Sequence, residues 1–276
     1  MLDCAGKQLD LSRPRVMGIL NVTPDSFSDG GRFRNVDNAL RQAKRMVDEG
    51  ADIVDVGGES TRPGAASVSL QEEMARVLPV IERIRATLDV PLSIDTSKPE
   101  LMRAAVAAGA GLINDVAALR ARGAIAAAAD AAVPVCLMHM QGEPRTMQAA
   151  PQYNDVVADI MDYLSARVAA CEAGGIAREH LLLDPGFGFG KTLQHNLVLL
   201  SRLDEMQSLG LPVLVGISRK SMLGAVTGRE LEGRLAAGVA AVVMAVERGA
   251  RIVRVHDVAE TVDALKLWSA VRNIEW

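Results

Sequence analysis

The sequence has little of what marks secreted, membrane-spanning or nucleic-acid-binding proteins. Its three cysteines, Cys4, Cys136 and Cys171, form no CxxC pair, which disfavours a disulfide scaffold or a structural zinc site and favours a reducing cytoplasm. The first residues contain no apolar signal core, and the longest apolar run, 235–246, is shorter than the ~20 residues that span a bilayer. We therefore expect a cytoplasmic protein with no membrane partner.

The chain also lacks an excess of positive charge. It has 30 lysines and arginines against 34 aspartates and glutamates, a formal net charge of -4, so nucleic acid is not an expected partner. Any anionic ligand must meet a local cluster of basic side chains. The 276 residues, 49% of them hydrophobic, contain no linker, low-complexity tract or charge block, and we expect residues 1–276 to form a single domain.

Short apolar runs alternate with stretches of helical spacing along the whole chain. The predicted strands cover residues 16–20, 52–56, 91–94, 112–114, 133–139, 180–184, 212–217 and 251–255. The predicted helices cover residues 36–49, 70–88, 99–108, 124–131, 153–173, 193–208, 231–248 and 258–271. Eight such units in ~250 residues predict an α/β fold, a single (β/α)8 TIM barrel of parallel strands with right-handed crossovers.

We expect this barrel to carry an N-terminal extension and long first and second βα-loops. An open doubly wound sheet is the alternative, but it usually has fewer strands and a GxGxxG turn after the first of them. Residues 21–31 contain no such turn. The closed barrel is therefore the favoured fold.

Polar or charged side chains stand at the end of every predicted strand, where the sites of such barrels lie. In order they are Asn21, Glu59 to Arg62, Asp95, Asn114 with Asp115, His139, Asp184, Ser218 to Lys220, and Arg254 with His256. Taken singly, each has a structural alternative, since Asp95 fits the N-cap of the next helix and His139 fits a satisfied core histidine. A barrel that only has to fold needs none of them, because a buried charge is costly unless paired.

This ring of side chains has two chemical halves. The acceptors and amides are Asp95, Asn114 and Asp184. They suit a flat heterocycle with N–H donors, because a carboxylate can accept two parallel N–H bonds. The donors are Arg62, Lys220, Arg254 and His256. They suit phosphate or carboxylate, and Ser218 precedes a predicted helix whose N–H groups would favour an anion. The residues alone favour a small N-heterocycle linked to a phosphate, and they leave a second anion as an option.

The first two βα-loops, 21–31 and 60–67, are long and rich in glycine, serine and proline. Loops of this kind often close over a bound substrate, although the alternative is a plain surface loop. Phe27 is one of only four phenylalanines and sits in the polar first loop. Its position favours a lid.

Several motifs in a fixed order resemble one family. Residues 18–31 read GILNVTPDSFSDGG and residues 55–64 read DVGGESTRPG. Shorter motifs follow as SIDT at 93–96, ND at 114–115, MHMQG at 138–142, DPGFGFGK at 184–191, GISRKS at 216–221 and RVHD at 254–257. Over nearly the whole chain these motifs resemble dihydropteroate synthase, a pterin-binding TIM-barrel family. The two long motifs are highly specific, and the short ones add weight by their order.

The resemblance implies that 6-hydroxymethyl-7,8-dihydropterin diphosphate is condensed with p-aminobenzoate to 7,8-dihydropteroate and diphosphate. It implies four catalytic residues, which are Asp95, Lys220, Arg254 and His256. It implies substrate contacts from Thr61, Arg62, Pro63, Asn114, Asp184, Phe189 and Ser218, with Phe27 in the lid. It also implies Mg2+ as a cofactor, held on the diphosphate with the help of Asn21. The step would be a dissociative displacement that needs no strong base.

Two other functions and one assembly state remain to be weighed. A methyltetrahydrofolate-type methyltransferase domain would share the pterin acids but not the two long loops. A non-catalytic pterin-binding paralogue would be expected to have lost some of the basic residues. The apolar run 235–246 has almost no polar face, which an outer barrel helix should keep; burial under neighbouring helices explains this, and so does a homodimer interface, which the resemblance favours.

Overall fold

The computed structural model describes residues 1–23, 32–60, 67–143 and 146–272. An antiparallel hairpin of β1 (Leu2–Cys4) and β2 (Lys7–Leu9) comes first. Within the described residues, eight parallel strands then close into a barrel. They are β3 (Arg15–Asn21), β4 (Ile53–Gly57), β5 (Leu92–Asp95), β6 (Leu112–Asp115), β7 (Val135–Met138), β8 (Leu181–Asp184), β9 (Val213–Val215) and β10 (Ala250–Val255). The predicted TIM barrel is confirmed.

The barrel strands are buried on both faces, which explains why the sequence shows near-continuous apolar runs instead of alternation. Every residue of β4, β5 and β6 is buried. Their register aligns the strand ends, since Asn21 pairs with Gly57, Gly57 with Asp95, and Asp95 with Asn114. Four neighbouring strands therefore present these end residues at one level of the barrel.

Helices surround the barrel. The helices that the structure describes are α1 (Arg32–Asp48), α2 (Leu70–Arg85), α3 (Pro99–Ala108), α4 (Ala124–Ala131), α5 (Val156–Ala173), α6 (Leu193–Ser201), α7 (Ser221–Thr227), α8 (Leu235–Glu247) and α9 (Val258–Arg272). Among the described residues, none of them is both long enough and apolar enough to cross a membrane. The predicted helix 193–208 is wrong beyond Ser201, because the chain turns at Arg202 into a 3-10 segment, Leu203–Leu209.

The predicted helix 231–248 is also wrong at its start. A short 3-10 turn covers Leu231–Gly233, and α8 begins only at Leu235. The preceding α7 was not predicted, since its seven residues include Gly224 and give little helical periodicity. It ends at Gly228, whose φ of 67° places it in the left-handed region that glycine adopts without strain.

The N-terminal hairpin closes the end of the barrel opposite the strand C-termini. Leu2, Cys4 and Leu9 form one buried cluster with inward side chains of the barrel strands. The strand members are Met17, Ile53, Leu112, Cys136, Leu182, Leu214 and Ile252. A Cβ on Gly111 would lie 2.4 Å from the Cys4 carbonyl oxygen, so the hairpin backbone rests directly on the start of β6. The hairpin is therefore the floor of the barrel.

Replacing Leu9 with alanine should lower the free energy of unfolding by about 2–4 kcal/mol, because it leaves a cavity in this floor. The catalytic constants should not change, since sites of such barrels lie at the other end. Urea unfolding and steady-state kinetics check the two parts. Lys7→Ala, whose partner Asp89 is almost fully exposed, is the matched control and should leave stability unchanged. A loss of activity in Leu9→Ala without unfolding would contradict the prediction.

Candidate functional site

Arg254 stands at the centre of the strand ends. Its Nε donates to Asp55 Oδ2 at 2.6 Å and its Nη2 to Asp95 Oδ2 at 2.7 Å. Asn114 Nδ2 lies 3.3 Å from the same Asp55 oxygen. The guanidinium of β10 thus reaches across to β4 and β5, because successive residues of a strand point to opposite faces and Arg254 points into the barrel while Val255 points out. Lys98 is the N-cap of α3, so Asp95 is free of that alternative role.

Asp55 was not predicted as a site residue, because it lies inside an apolar strand and not at its end. Its side chain is fully buried, and among the described groups its Oδ1 has no hydrogen-bond partner. The signal was present in the sequence, since a carboxylate within Ile53-Val54-Asp55-Val56-Gly57 is costly unless a cation pairs with it. The pairing with Arg254 supplies that cation.

The single positive charge of Arg254 faces two buried carboxylates, Asp55 and Asp95. Burial raises the pKa of Asp95, the Arg254 guanidinium opposes this rise, and Asp55 adds to it. Burial works against the charge of Arg254, but Asp55 and Asp95 together raise its pKa. Two carboxylates sharing one guanidinium leave a surplus of negative charge. A ligand that brings hydrogen-bond donors or developing positive charge to this centre is therefore favoured.

A second group of side chains comes from the ends of β8 and β9. Asp184 Oδ1 accepts the Gly186 N–H at 2.7 Å, and from the described residues its other oxygen receives no hydrogen bond. Burial raises the pKa of Asp184, against the attraction of Lys220. Lys220 Nζ lies 4.1 Å from the centre of the Phe189 ring, which is a cation–π contact. Burial lowers the pKa of Lys220 to about 8, although Asp184 raises it.

Ser218 and His256 join the ends of the last two strands. Ser218 Oγ lies 3.2 Å from His256 Nδ1, and the His256 N–H donates to the same oxygen at 3.2 Å. Ser218 is buried and His256 is half-buried. The pair holds a hydroxyl and an imidazole beside the N-terminus of α7, where an anion is favoured.

Asn21 stands apart from these pairs at the end of β3. Gly57 lies between it and Asp95, and a Cβ at that position would be 3.8 Å from Asn21 Oδ1 and 3.6 Å from Asp95 Cβ. The glycine therefore keeps the space between the amide and the carboxylate open. Four predicted site residues, Phe27, Thr61, Arg62 and Pro63, lie outside the described residues, and their roles stay predictions.

The described flanks of the second βα-loop are held by a buried charge cluster that was not predicted. Lys98 Nζ contacts carboxylate oxygens of both Glu59 and Glu73, and Glu73 is fully buried. Glu59 Oε1 also accepts the Val68 N–H at 3.1 Å, and Arg76 Nη1 donates to the Gly58 carbonyl at 2.8 Å. Both flanks of the loop are thus tied to the same cluster.

Lys98→Met should lower the free energy of unfolding by roughly 3 kcal/mol, because it leaves the carboxylate of Glu73 buried without a cation. This value is at the lower end for a broken buried pair, since Lys98 keeps some contact with solvent. Denaturant unfolding measures it. Lys44→Met, at an exposed pair with Asp48, is the control and should leave stability unchanged. The double variant Lys98→Met, Glu73→Leu should regain part of the loss; if it is less stable than Lys98→Met, the pairing argument is wrong.

The chain is similar to known proteins over most of its length. The family described as pterin binding enzyme matches residues 17–256. The dihydropteroate synthase of Escherichia coli (strain K12) is 55% identical over 265 residues, which cover 96% of this chain and 94% of the relative. A Xanthomonas albilineans dihydropteroate synthase with 4-aminobenzoic acid matches with a TM-score of 0.95 and 57% identity over 99% of this chain and 98% of that chain.

A second structure of the Xanthomonas albilineans enzyme, in complex with 7,8-dihydropteroate, has a TM-score of 0.91 and 53% identity over 99% of each chain. These similarities extend across the full barrel. The chain belongs to the pterin-binding enzymes, and within that class it is a member of the dihydropteroate synthase family. It is therefore a transferase.

Proposed function

We propose that the strand-end side chains condense 6-hydroxymethyl-7,8-dihydropterin diphosphate with p-aminobenzoate, which yields 7,8-dihydropteroate and diphosphate for folate biosynthesis. The observation that carries this is Arg254, held between the buried carboxylates of Asp55 and Asp95 at the centre of the barrel mouth. The Xanthomonas albilineans relatives were solved with 4-aminobenzoic acid and with 7,8-dihydropteroate. These are one substrate and the product of the reaction, which supports the proposal.

The pterin binds along the carboxylate side of the site. Asp184 offers its second oxygen to the N–H donors of the ring edge, Asn114 adds an amide, and Lys220 donates to a ring acceptor. Arg254 lies against the face of the heterocycle, where a planar guanidinium stacks well. Phe189 and Ser218, on the other side of Lys220, contact p-aminobenzoate.

The chain's residues act on charge more than on protons. The bond between the pterin methylene carbon and the diphosphate oxygen breaks, and its electron pair leaves with the diphosphate. Arg254 and His256 stabilise the departing anion, and the nearby Asp95 carboxylate stabilises the positive charge on the methylene. The neutral aniline nitrogen bonds to that carbon and releases one proton to water. No nucleophile–base pair is needed for this step, because the aniline nitrogen attacks while neutral.

Asn21 and the diphosphate fit an Mg2+ ion. Among the described residues, no group of three or more His, Cys, Asp or Glu side chains could hold a metal. Mg2+ commonly keeps several waters and binds through few protein oxygens plus substrate phosphates, so one amide oxygen suits it. Gly57 leaves the space beside that oxygen open. When bound, Mg2+ supplies charge neutralisation for the leaving group.

Diphosphate release by the purified chain, with pterin diphosphate and Mg2+, tests the function. Release that depends on p-aminobenzoate and gives dihydropteroate supports the proposal. Tight pterin diphosphate binding without release would instead favour the non-catalytic paralogue. Methyl transfer from methyltetrahydrofolate, without diphosphate release, would favour the methyltransferase reading. EDTA should stop release, and Asn21→Ala should raise the Mg2+ concentration needed for half-maximal rate; an unchanged requirement would remove Asn21 from the metal site.

We also propose that the chain is a homodimer. Leu235 and Met244 on α8, with Leu267 and Val271 on α9, are exposed hydrophobic side chains on two helices that pack together. Exposed apolar residues on two packed helices are consistent with an association surface. Sedimentation at micromolar concentration should give a dimer, and Met244→Glu with Leu267→Glu should shift it to monomer. A wild-type monomer would contradict the proposal.

A cytoplasmic location is likewise proposed. It is supported by Cys4, Cys136 and Cys171, which are buried and free within the described part of the chain. A protein made for an oxidising compartment tends to use its cysteines in disulfides. Cell fractionation tests the location, and recovery in a secreted or envelope fraction would contradict it.

A further inference from the structure

The glycine-rich loop between β8 and α6 is held from behind by side chains that contact no predicted substrate. Tyr153 Oη donates to the Gly190 carbonyl at 2.8 Å, Gln148 Nε2 contacts the Gly188 carbonyl, and Asn196 Oδ1 accepts the Gly188 N–H at 2.8 Å. The loop, residues 185–190, therefore has three of its backbone groups fixed from outside by these side chains.

Lys191 makes the most extensive of these contacts. Its side chain is buried and folds back under the loop that precedes it. Nζ lies 2.9 Å from the Gly186 carbonyl, 3.1 Å from the Phe189 carbonyl and 2.9 Å from His139 Nδ1. An ammonium has three N–H donors, and these three acceptors match them in number.

His139 completes this arrangement from β7. Its ring packs edge-on against Tyr163, with centroids 4.9 Å apart, and lies 5.9 Å from the Tyr153 ring. Burial and the adjacent ammonium lower the pKa of His139 to about 3, so the ring is neutral and accepts the Lys191 bond. This outcome agrees with the structural alternative for His139, since it is a satisfied core histidine.

The loop is tightly packed between Lys191 and the side chains proposed to bind the substrates. A Cβ on Gly186 would lie 2.0 Å from the His139 carbonyl oxygen, and a Cβ on Gly188 would lie 3.2 Å from Lys220 Cδ. Gly186 also donates to Asp184, and the Phe189 ring faces Lys220. A shift of the Gly186 and Phe189 carbonyls would therefore move the side chains that meet both substrates.

We propose that Lys191 is a positioning residue for the reaction: bonded to His139, it holds the Gly186 and Phe189 carbonyls so that Asp184 and Phe189 are placed for the pterin and for p-aminobenzoate. Lys191 reaches the substrates only through this loop. The inference rests on the proposed function, because that function assigns the pterin to Asp184 and p-aminobenzoate to Phe189.

Lys191→Met tests it, since methionine has similar length and cannot donate. The KM values for pterin diphosphate and p-aminobenzoate should rise by on the order of 10–100-fold, with a much smaller fall in kcat, because misplaced contacts weaken binding before they affect bond breaking. Lys191→Gln, which keeps a donor but not the charge, should fall between Lys191→Met and the wild type. Lys191→Gln also tests the proposal if Lys191→Met does not fold.

Tyr163→Phe is the matched control, because the Tyr163 ring packs on His139 and its buried hydroxyl has no hydrogen-bond partner among the described residues. It should keep wild-type KM values. A lower melting temperature with unchanged KM values in both Lys191 variants would overturn the proposal, and so would wild-type behaviour throughout. Failure of the wild type to release diphosphate would instead count against the proposed function, so the two failures are distinguishable.

Discussion

Replacing Arg254 with leucine is expected to reduce kcat/KM by about 10^3-fold or more, which is the largest effect of any single change in this chain. Loss of one preorganised donor to developing negative charge costs about 10^2–10^3 in kcat in comparable sites, and Arg254 is proposed to bind the pterin face as well. The same substitution leaves Asp55 and Asp95 buried without their shared guanidinium. Removing one partner of such a pair destabilises by about 3–5 kcal/mol.

The two consequences can be separated by experiment. Arg254→Lys keeps the charge but reaches one carboxylate instead of two, because an ammonium is a point donor and not a planar fork. It should fold and still lose at least about tenfold in kcat/KM. Unfolding curves measure the stability of each variant, and single-turnover diphosphate release measures its catalysis.

Arg219→Met is the matched control. Arg219 precedes Lys220 and pairs with Asp257, but its side chain is substantially exposed. Its removal should leave turnover unchanged. Activity in Arg254→Leu within tenfold of the wild type, measured on folded protein, would mean that Arg254 does not touch the reacting groups.

The sequence predicts the barrel well because the barrel depends on short-range patterns. Buried parallel strands give apolar runs, and the alternation with helical spacing gives the topology. The strand ends at Asn21, Asp95 and Asn114 follow from that alternation, because the register aligns them, and Asp184 is the last residue of β8. Errors occur where the local signal is weak, as at α7, or where an α-helix turns into a 3-10 segment, as at Arg202.

Contacts across the barrel could not be read from local patterns. Asp55 pairs with a residue of the last strand, and Lys98 joins two glutamates of the preceding βα unit. Lys191 looked like the end of a glycine-rich motif, yet it turns back to His139. Of these, only Asp55 gave a signal in the sequence, as a charge inside an apolar strand. Its partner depends on the closed barrel, which brings distant segments together.

Asp184→Asn is expected to separate ligand recognition from stability. The asparagine is nearly isosteric and can still accept the Gly186 N–H with its oxygen, but its second group becomes an NH2 that faces the N–H donors of the pterin. A donor opposite a donor leaves both unpaired, and sites built on such bonds discriminate strongly. The KM for pterin diphosphate should rise by on the order of 10^2–10^3-fold.

Asp184→Asn should weaken pterin binding without lowering the free energy of unfolding. Burial raises the pKa of Asp184 in the folded protein, so the ionised carboxylate disfavours folding at neutral pH, and a neutral amide removes that penalty. The free energy of unfolding of Asp184→Asn should therefore match or exceed that of the wild type. The loss of a structural carboxylate would instead lower it.

Asp115→Asn provides the reciprocal case. Asp115 is also buried at a strand end, but its oxygens accept hydrogen bonds from Ser97 Oγ, from the Ala117 N–H at 2.8 Å and from the Leu119 N–H at 2.7 Å. Burial raises the pKa of Asp115 too, but both of its oxygens accept hydrogen bonds, so in Asp115→Asn the NH2 faces one of these donors. That mismatch should cost about 1–3 kcal/mol in stability and leave the KM for pterin diphosphate unchanged. Calorimetry and kinetics should thus show weaker binding without a loss of stability in Asp184→Asn, and a loss of stability without weaker binding in Asp115→Asn. If both variants lose stability and binding together, Asp184 is a structural carboxylate, and the pterin edge must lie elsewhere in the ring.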